Sequence, residues 1–428
     1  MNSINDWFTN KETEVIETAS YIFNHPEIAF EETDSSKCLA RFLEKEGFAI
    51  TWNIGDMETA FLATWGKGSP IIGFLAEYDA LPGLSQAPVP YLAPQADAGH
   101  GCGHNLLGTA VAAAACALKA SLIESKQDAT IRVYGCPAEE ILQGKVILAE
   151  QHFFDDLDVA VTWHPFDENR VSNDIWLAQD IKNYTFHGIT SHAAKNPEQG
   201  RSALDSVELM NVGTNYLREH VTDDIRLHYG YVGQGQPANV VPDYAKVNYF
   251  IRSGSHIRLR DVSKRVDDCA KGAALMSGTE VNIELVSYCK EMKVNQCLCE
   301  IYQKTMTEIP TPEYTKEELD FASSISTAAG FPKQHTWFRG VEPMKPPGTL
   351  LFVGTDVATV SHIVPTITIF AATMCKGTPF HHWSTTAQSG MSIGYKGMIY
   401  AAKCLAKGTR ELIDSPSLLK EAWEEHKK

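Results

Sequence analysis

Five short stretches of this chain carry side chains that can bind a metal ion or move a proton. The first, Glu77-Tyr78-Asp79, follows the apolar run Ile71-Ile72-Gly73-Phe74-Leu75. Alternation along a strand points Glu77 and Asp79 the same way, so both carboxylates can address one site. In the second, Gly99-His100-Gly101-Cys102-Gly103-His104-Asn105, the glycines let the backbone fold tightly enough for Cys102 and His104 to converge on a metal. The same pair could instead be a thiol nucleophile and its base. In the third, Pro137-Ala138-Glu139-Glu140, adjacent residues of an extended segment face opposite ways. One carboxylate can then bind metal while its neighbour faces an attacking water, although paired acids also suit an ordinary helix N-terminus. The last two stretches are Trp163-His164-Pro165 and Phe380-His381-His382-Trp383. A single histidine after a strand is more often structural than a ligand. Taken jointly, Cys102, His104, Glu140, His164 and His381 offer S, N and O donors, a mixture suited to two borderline divalent ions.

Four of these places lie where a predicted strand runs into a loop. The pattern predicts helices over 12–24, 34–46 (stopped at Gly47) and 106–122, and strands over 60–65, 71–78, 130–134 and 158–162. That alternation implies an α/β layer around a central, mostly parallel sheet flanked by helices, with functional groups at the strand ends. After about residue 178 the order becomes strand 182–187, helix 202–219, strands 226–233 and 244–251, helix 259–276 and strand 279–286. This is the ferredoxin-like β-α-β-β-α-β pattern of an inserted α+β domain. The α/β texture resumes with a helix over 295–308, strands over 350–354 and 366–371, and a helix near 385–405, with a loop-prone stretch from 310 to 347. Residues 1–178 and 291–428 are therefore expected to form a metal-binding catalytic domain, and 179–290 the insertion.

Composition narrows the class further. The 428 residues exceed what one core usually organises, and 44% hydrophobic with 21% charged residues describes a globular enzyme. A formal net charge of -16 with no long basic run excludes a nucleic-acid surface. Met1 to Thr18 is acidic and lacks the pattern of a signal peptide, and the Ala-rich run 106–122 reads as a buried helix rather than a membrane span. The ten cysteines follow no disulfide framework, which implies reduced thiols in the cytoplasm, and Cys297 and Cys299 receive no function.

The segments 73–85, 99–108 and 135–140 resemble those of the aminoacylase and carboxypeptidase-type dinuclear metallopeptidase family, and the similarity extends over nearly the whole chain. The resemblance implies that Cys102, His104, Glu140, His164 and His381 hold two divalent ions, Zn or Mn, and that Glu139 is the general acid/base. His381 fits the family pattern better than His382, and Glu77 and Asp79 stand behind the ligands as supporting groups. It also implies that the insertion, matched through 188–194, 200–205 and 235–243, is a lid and dimerisation domain. His192 would there stabilise the oxyanion, often in a partner's active site, while Asn239 and Arg252 would hold the substrate carboxylate. By its place near a strand end alone, Arg252 reads as a surface salt-bridge former. The implied reaction is hydrolysis of an N-acyl amino acid, a p-aminobenzoyl-glutamate-like conjugate or a dipeptide by a metal-activated water, in a homodimer or a pair with a related subunit. Two departures bear on the substrate: Ile141-Leu142-Gln143 precede Gly144 where relatives are glycine-rich, and His362 stands where an aromatic residue is usual. Two other readings exist: a non-catalytic binding or regulatory subunit, and a Cys102 thiol enzyme that leaves Glu140, His164 and His381 without roles.

Overall fold

A computed structural model describes residues 2–95, 97–234, 236–330 and 340–428. The chain divides into two compact units: Met1–Asp174 with Lys293–Thr349 and Val360–Lys428, and Ile175–Met292 with Leu350–Thr359.

The first unit is built on a seven-stranded sheet. Its strands lie in the order Ala49–Trp52, Phe61–Lys67, Ala129–Cys136, Ile71–Glu77, Val159–Phe166, Thr366–Ala372, Arg170–Val171. The four strands from Ala129–Cys136 to Thr366–Ala372 run parallel, and the flanking pairs are antiparallel. Ile71–Glu77 is buried almost along its length, which explains why its sequence is a continuous apolar run rather than an alternation. The chain leaves this strand to form its neighbour on one side, then its neighbour on the other. Such a reversal opens a crevice at the carboxyl ends of the strands, where α/β sheets bind ligands.

Helix His104–Ser125 packs against that sheet, and its small residues explain how closely. Ala110, Ala112, Ala113, Ala114, Ala115 and Ala117 are fully buried, and a Cβ on Gly108 would lie 2.4 Å from the carbonyl oxygen of Glu77. This helix is long and apolar enough to cross a membrane, yet here it is the core helix. Trp163 anchors the contact by donating its indole N–H to the Leu107 carbonyl at 3.0 Å. Emptying that site by Trp163→Ala would cost about 3–5 kcal/mol.

Two differences from the sequence-based expectation have clear causes. The helix predicted near 385–405 is two helices, Trp383–Ser389 and Ser392–Asp414. The break falls at Gly390, whose missing side chain makes room for the ring of Phe23, while Asn105 donates to the freed Ser389 carbonyl at 3.0 Å. Within the loop-prone stretch lies helix Lys316–Ala328, started by a capping box in which Thr315 and Glu318 bond each other's backbone. Residues 331–339 of that stretch fall outside the described residues.

The second unit carries a four-stranded antiparallel sheet in the order Arg226–Gln234, Tyr244–Ser253, Ala178–His187, Glu280–Cys289. Helices Ala203–Leu217 and His256–Ser277 pack on it, with Ser202 and Ser255 capping their N-termini. Residues along Tyr244–Ser253 alternate between buried and partly exposed, so one sheet face makes the core with Tyr184, Val207, Met210, Tyr249 and Val266. The strand predicted over 350–354 is only Leu350–Leu351, and it pairs with Ile175–Trp176 of this same unit.

Candidate metal centre

At the carboxyl ends of the parallel strands the first unit gathers its acids, imidazoles and one thiol. Asp79 ties the cluster together. One of its carboxylate oxygens lies 2.9 Å from Nδ1 of His104, and the other accepts the backbone N–H of Glu140 at 2.9 Å. A carboxylate only accepts, so Nδ1 of His104 carries the proton and the Nε2 lone pair turns inward. There Nε2 has no hydrogen-bond partner, with Glu77 Oε2 at 3.5 Å and Glu139 Oε2 at 3.8 Å. His164 is oriented the same way: Nδ1 lies 2.8 Å from the Pro165 carbonyl, and Nε2 lies 3.4 Å from Cys102 Sγ.

His381 arrives from the loop after Thr366–Ala372. Its backbone is left-handed (φ 54°), a conformation that costs a histidine energy. It is held there by donating its N–H to the Gly101 carbonyl at 3.0 Å. Its Nε2 lies 3.3 Å from Glu140 Oε2, while Glu140 Oε1 is buried with no hydrogen-bond partner. His382 instead caps helix Trp383–Ser389, accepting the N–H of Ser384 at Nδ1. His100 also turns away, its Nε2 3.1 Å from the Ile22 carbonyl, and burial brings it down to about 3.

The paired glutamates reach the cluster by a route that strand alternation does not foresee. Glu139–Ile141 is a 3-10 turn rather than an extended segment, bounded by Ala138 (φ 57°) and Leu142 (φ 54°), both left-handed. Glycine meets such angles freely, whereas Ala and Leu hold them under strain. The turn closes so tightly that a Cβ on Gly144 would lie 1.9 Å from the Pro137 carbonyl. Strand alternation therefore does not separate the two carboxylates; the turn aims Glu139 toward His104 and Glu140 toward His381.

Three sets of donor atoms result, each within 4.8 Å of one another: Cys102, His104 and His164; Cys102, Glu140 and His381; and Glu77, His104 and Glu139. The unsatisfied lone pairs of His104 Nε2 and Glu140 Oε1, set among these donors, fit divalent cations of borderline softness. The mutual electrostatics of the cluster agree. Burial and Glu140 push the Cys102 thiol up, but His164 and His104 outweigh them and bring it down to about 6. Hydrogen bonding to Cys102 and Glu140 raises His381 to about 11. Without cations these anions draw protons onto imidazole; bound cations would take the protons' place.

Two supporting residues carried no readable signal. Glu32 is fully buried, accepts the Ala138 N–H at 2.9 Å and the Thr59 hydroxyl at 3.0 Å, and so braces the glutamate turn. Burial and the charge of Asp79 raise it to about 7. Lys145, also fully buried, places Nζ 2.7 Å from Glu77 Oε1.

The remaining candidates belong to the second unit. His192 is exposed, and its Nδ1 accepts the backbone N–H groups of Ala194 and Lys195 at 3.2 Å. Asn239 is exposed beside it, its carbonyl accepting the Ala193 N–H at 3.0 Å. Gly235, from the same motif, lies outside the described residues. Arg252 is partly buried on Tyr244–Ser253, registered between Gln179 and Arg226. The unusual His362, in the first unit, supports the C-terminal helix with a backbone contact to His426.

Parallel central strands, a mixed-donor cluster at their carboxyl ends and a paired-glutamate turn define a hydrolase of the metallopeptidase class. Residues 73–382 match the peptidase family M20/M25/M40, and the chain belongs to that family. It is 39% identical over 95% of its length to a subunit of the p-aminobenzoyl-glutamate hydrolase of Escherichia coli (strain K12), covering 91% of that protein. It is also 30% identical over 95% of its length to Xaa-Arg dipeptidase of Mus musculus, covering 87% of it. Among solved structures, a dinuclear metal-binding peptidase of the M20 family from Bacillus subtilis shares the fold, with a TM-score of 0.62 and 18% identity over 95% of this chain and 99% of that one.

Proposed function

We propose that this hydrolase cleaves the amide bond of an N-acyl amino acid, a p-aminobenzoyl-glutamate-like conjugate or a dipeptide, using two divalent cations, Zn or Mn, held by Cys102, His104, Glu140, His164 and His381. The observation that carries this reading is the pair of three-donor groups that share Cys102. Bound there, the cations would supply Lewis-acid polarisation of the scissile carbonyl and a lowered pKa for water. Glu139, buried beside His104, takes the water's proton at its carboxylate and returns it to the nitrogen as the C–N bond breaks. The two N–H donors on Nδ1 of His192 leave its proton on Nε2, ready to be donated to the developing oxyanion. Asn239 and Arg252 take the substrate's carboxylate. The names of the relatives, a p-aminobenzoyl-glutamate hydrolase and a dipeptidase, favour a small amide of this kind.

The second unit serves in this reading as the lid and pairing domain. Arg226–Gln234 is an edge strand exposing Tyr229, Tyr231 and Val232, and the neighbouring helix exposes Leu209, Val212 and Tyr216. An uncovered edge beside an apolar stripe suits a second chain, either an identical copy or a related subunit, since the Escherichia coli relative is itself named as a subunit. Ten cysteines standing as thiols, one of them a cation ligand, suit the reducing cytoplasm.

The test is a panel of N-acyl amino acids, p-aminobenzoyl-glutamate and dipeptides, assayed with Mn or Zn added and again after chelation. Metal-dependent release of a free amine is expected for at least one class. Turnover that survives complete metal removal would end this reading.

A further inference from the structure

A lysine with no solvent exposure needs a reason, because an ammonium buried without a partner loses several kcal/mol of hydration. Lys145 has one in Glu77, 2% exposed, whose Oε1 accepts from Nζ at 2.7 Å. The other oxygen of the same carboxylate points to the cluster, 3.5 Å from the inward Nε2 of His104. Glu77 is thus shared between an ammonium on one side and a cation ligand on the other, and its donor atom lies close enough to join a cation there.

We propose that Lys145 is a positioning residue that holds Glu77 back from the cation on His104, making that carboxylate a counter-charge instead of a ligand and keeping a coordination position open for the reaction. The idea rests on the two-cation reading above. Its position is set by the backbone: Lys145 is the second residue of helix Gly144–Glu150, whose start is pinned where Gly144 abuts the Pro137 carbonyl. The glutamate turn and the ammonium behind Glu77 are therefore placed by one short piece of chain.

The experiment compares wild type, Lys145→Met, Glu77→Gln and the double variant, reading Mn2+ affinity and stoichiometry by calorimetry alongside kcat. Removing the ammonium frees Glu77 to ligate and removes a repelling charge, so Lys145→Met should bind Mn2+ about tenfold tighter while kcat falls at least about tenfold. Glu77→Gln leaves the ammonium facing the cations and should bind about tenfold more weakly. The double variant, with the charge balance restored, should return to within about threefold of wild-type affinity and recover turnover relative to Lys145→Met. A purely structural lysine predicts weaker binding in all three, and that result overturns the proposal. Should Lys145→Met not fold, the double variant against Glu77→Gln decides: tighter binding supports the idea, equal or weaker binding overturns it. Wild type binding fewer than two Mn2+ would instead sink the two-cation reading itself.

Discussion

The two units place most of their candidate groups in different environments, with His381 of the first exposed and Arg252 of the second partly buried. In the first, Glu77, Asp79, Cys102, His104, Glu139 and Lys145 are all buried, each held by a neighbour of opposite charge or by a backbone bond. In the second, His192 and Asn239 stand in solvent, held by local backbone contacts. Buried charge is expensive unless paired, so the first cluster is organised before any ligand arrives. Exposed groups cost nothing to keep and act only when something comes to them. Chemistry that needs preorganisation belongs to the first setting, and groups that greet a substrate or a second chain can occupy the other.

This contrast can be broken most decisively at Glu139. Glu139→Gln should keep both cations, measured by elemental analysis, while turnover falls about a thousandfold or more. Substantial activity in that variant would remove Glu139 from the proton transfer. Metal content then sharpens the comparison within the cluster. Because Cys102 belongs to two of the three donor groups, Cys102→Ala should abolish binding of two cations, whereas His381→Ala should leave one. Equal stoichiometry in the two variants would show that the thiol is not shared. Across the units, His192→Ala should lower kcat about a hundredfold, with metal content unchanged and stability within about 0.5 kcal/mol of wild type. Lost metal in that variant would mean that the exposed group is not independent of the buried ones.

A further effect, on stability and not on turnover, concerns Glu32. Its folded pKa of about 7 lies above the ordinary 4.5, so the folded protein holds a proton that the unfolded chain has released. Stability contributed by this group is complete below about pH 4.5 and is lost as pH rises through about 7, by at most about 3 kcal/mol. Urea unfolding of the metal-free protein at pH 4.5 and 8 should show that loss, and Glu32→Gln should remove it. Parallel profiles for the two proteins would mean that the carboxyl is not perturbed.

The five candidate donors stand out in the sequence because a metal site needs particular atoms, and particular atoms mean particular residue types beside glycine turns and strand ends. The parallel core is legible for a similar reason: a strand buried on both faces must be apolar without interruption, as Ile71 to Leu75 is. Helix Lys316–Ala328 carries its own signal in the spacing of Thr315 and Glu318, which the prolines around it obscure. The break at Gly390 carries none, because a glycine alone does not reveal that Phe23, far away in the chain, will fill its place.

Residue identity alone thus determined which atoms are available to bind cations and which strands are buried. The tertiary structure alone decided that Glu139 and Glu140 leave a strained turn instead of a strand, that His382 caps a helix, and that Glu32 and Lys145 lie buried behind the candidate donors. The reason is physical. A side chain's chemistry is local, but whether a charge lies in water or in the interior depends on partners dozens of residues away, and only packing brings those together.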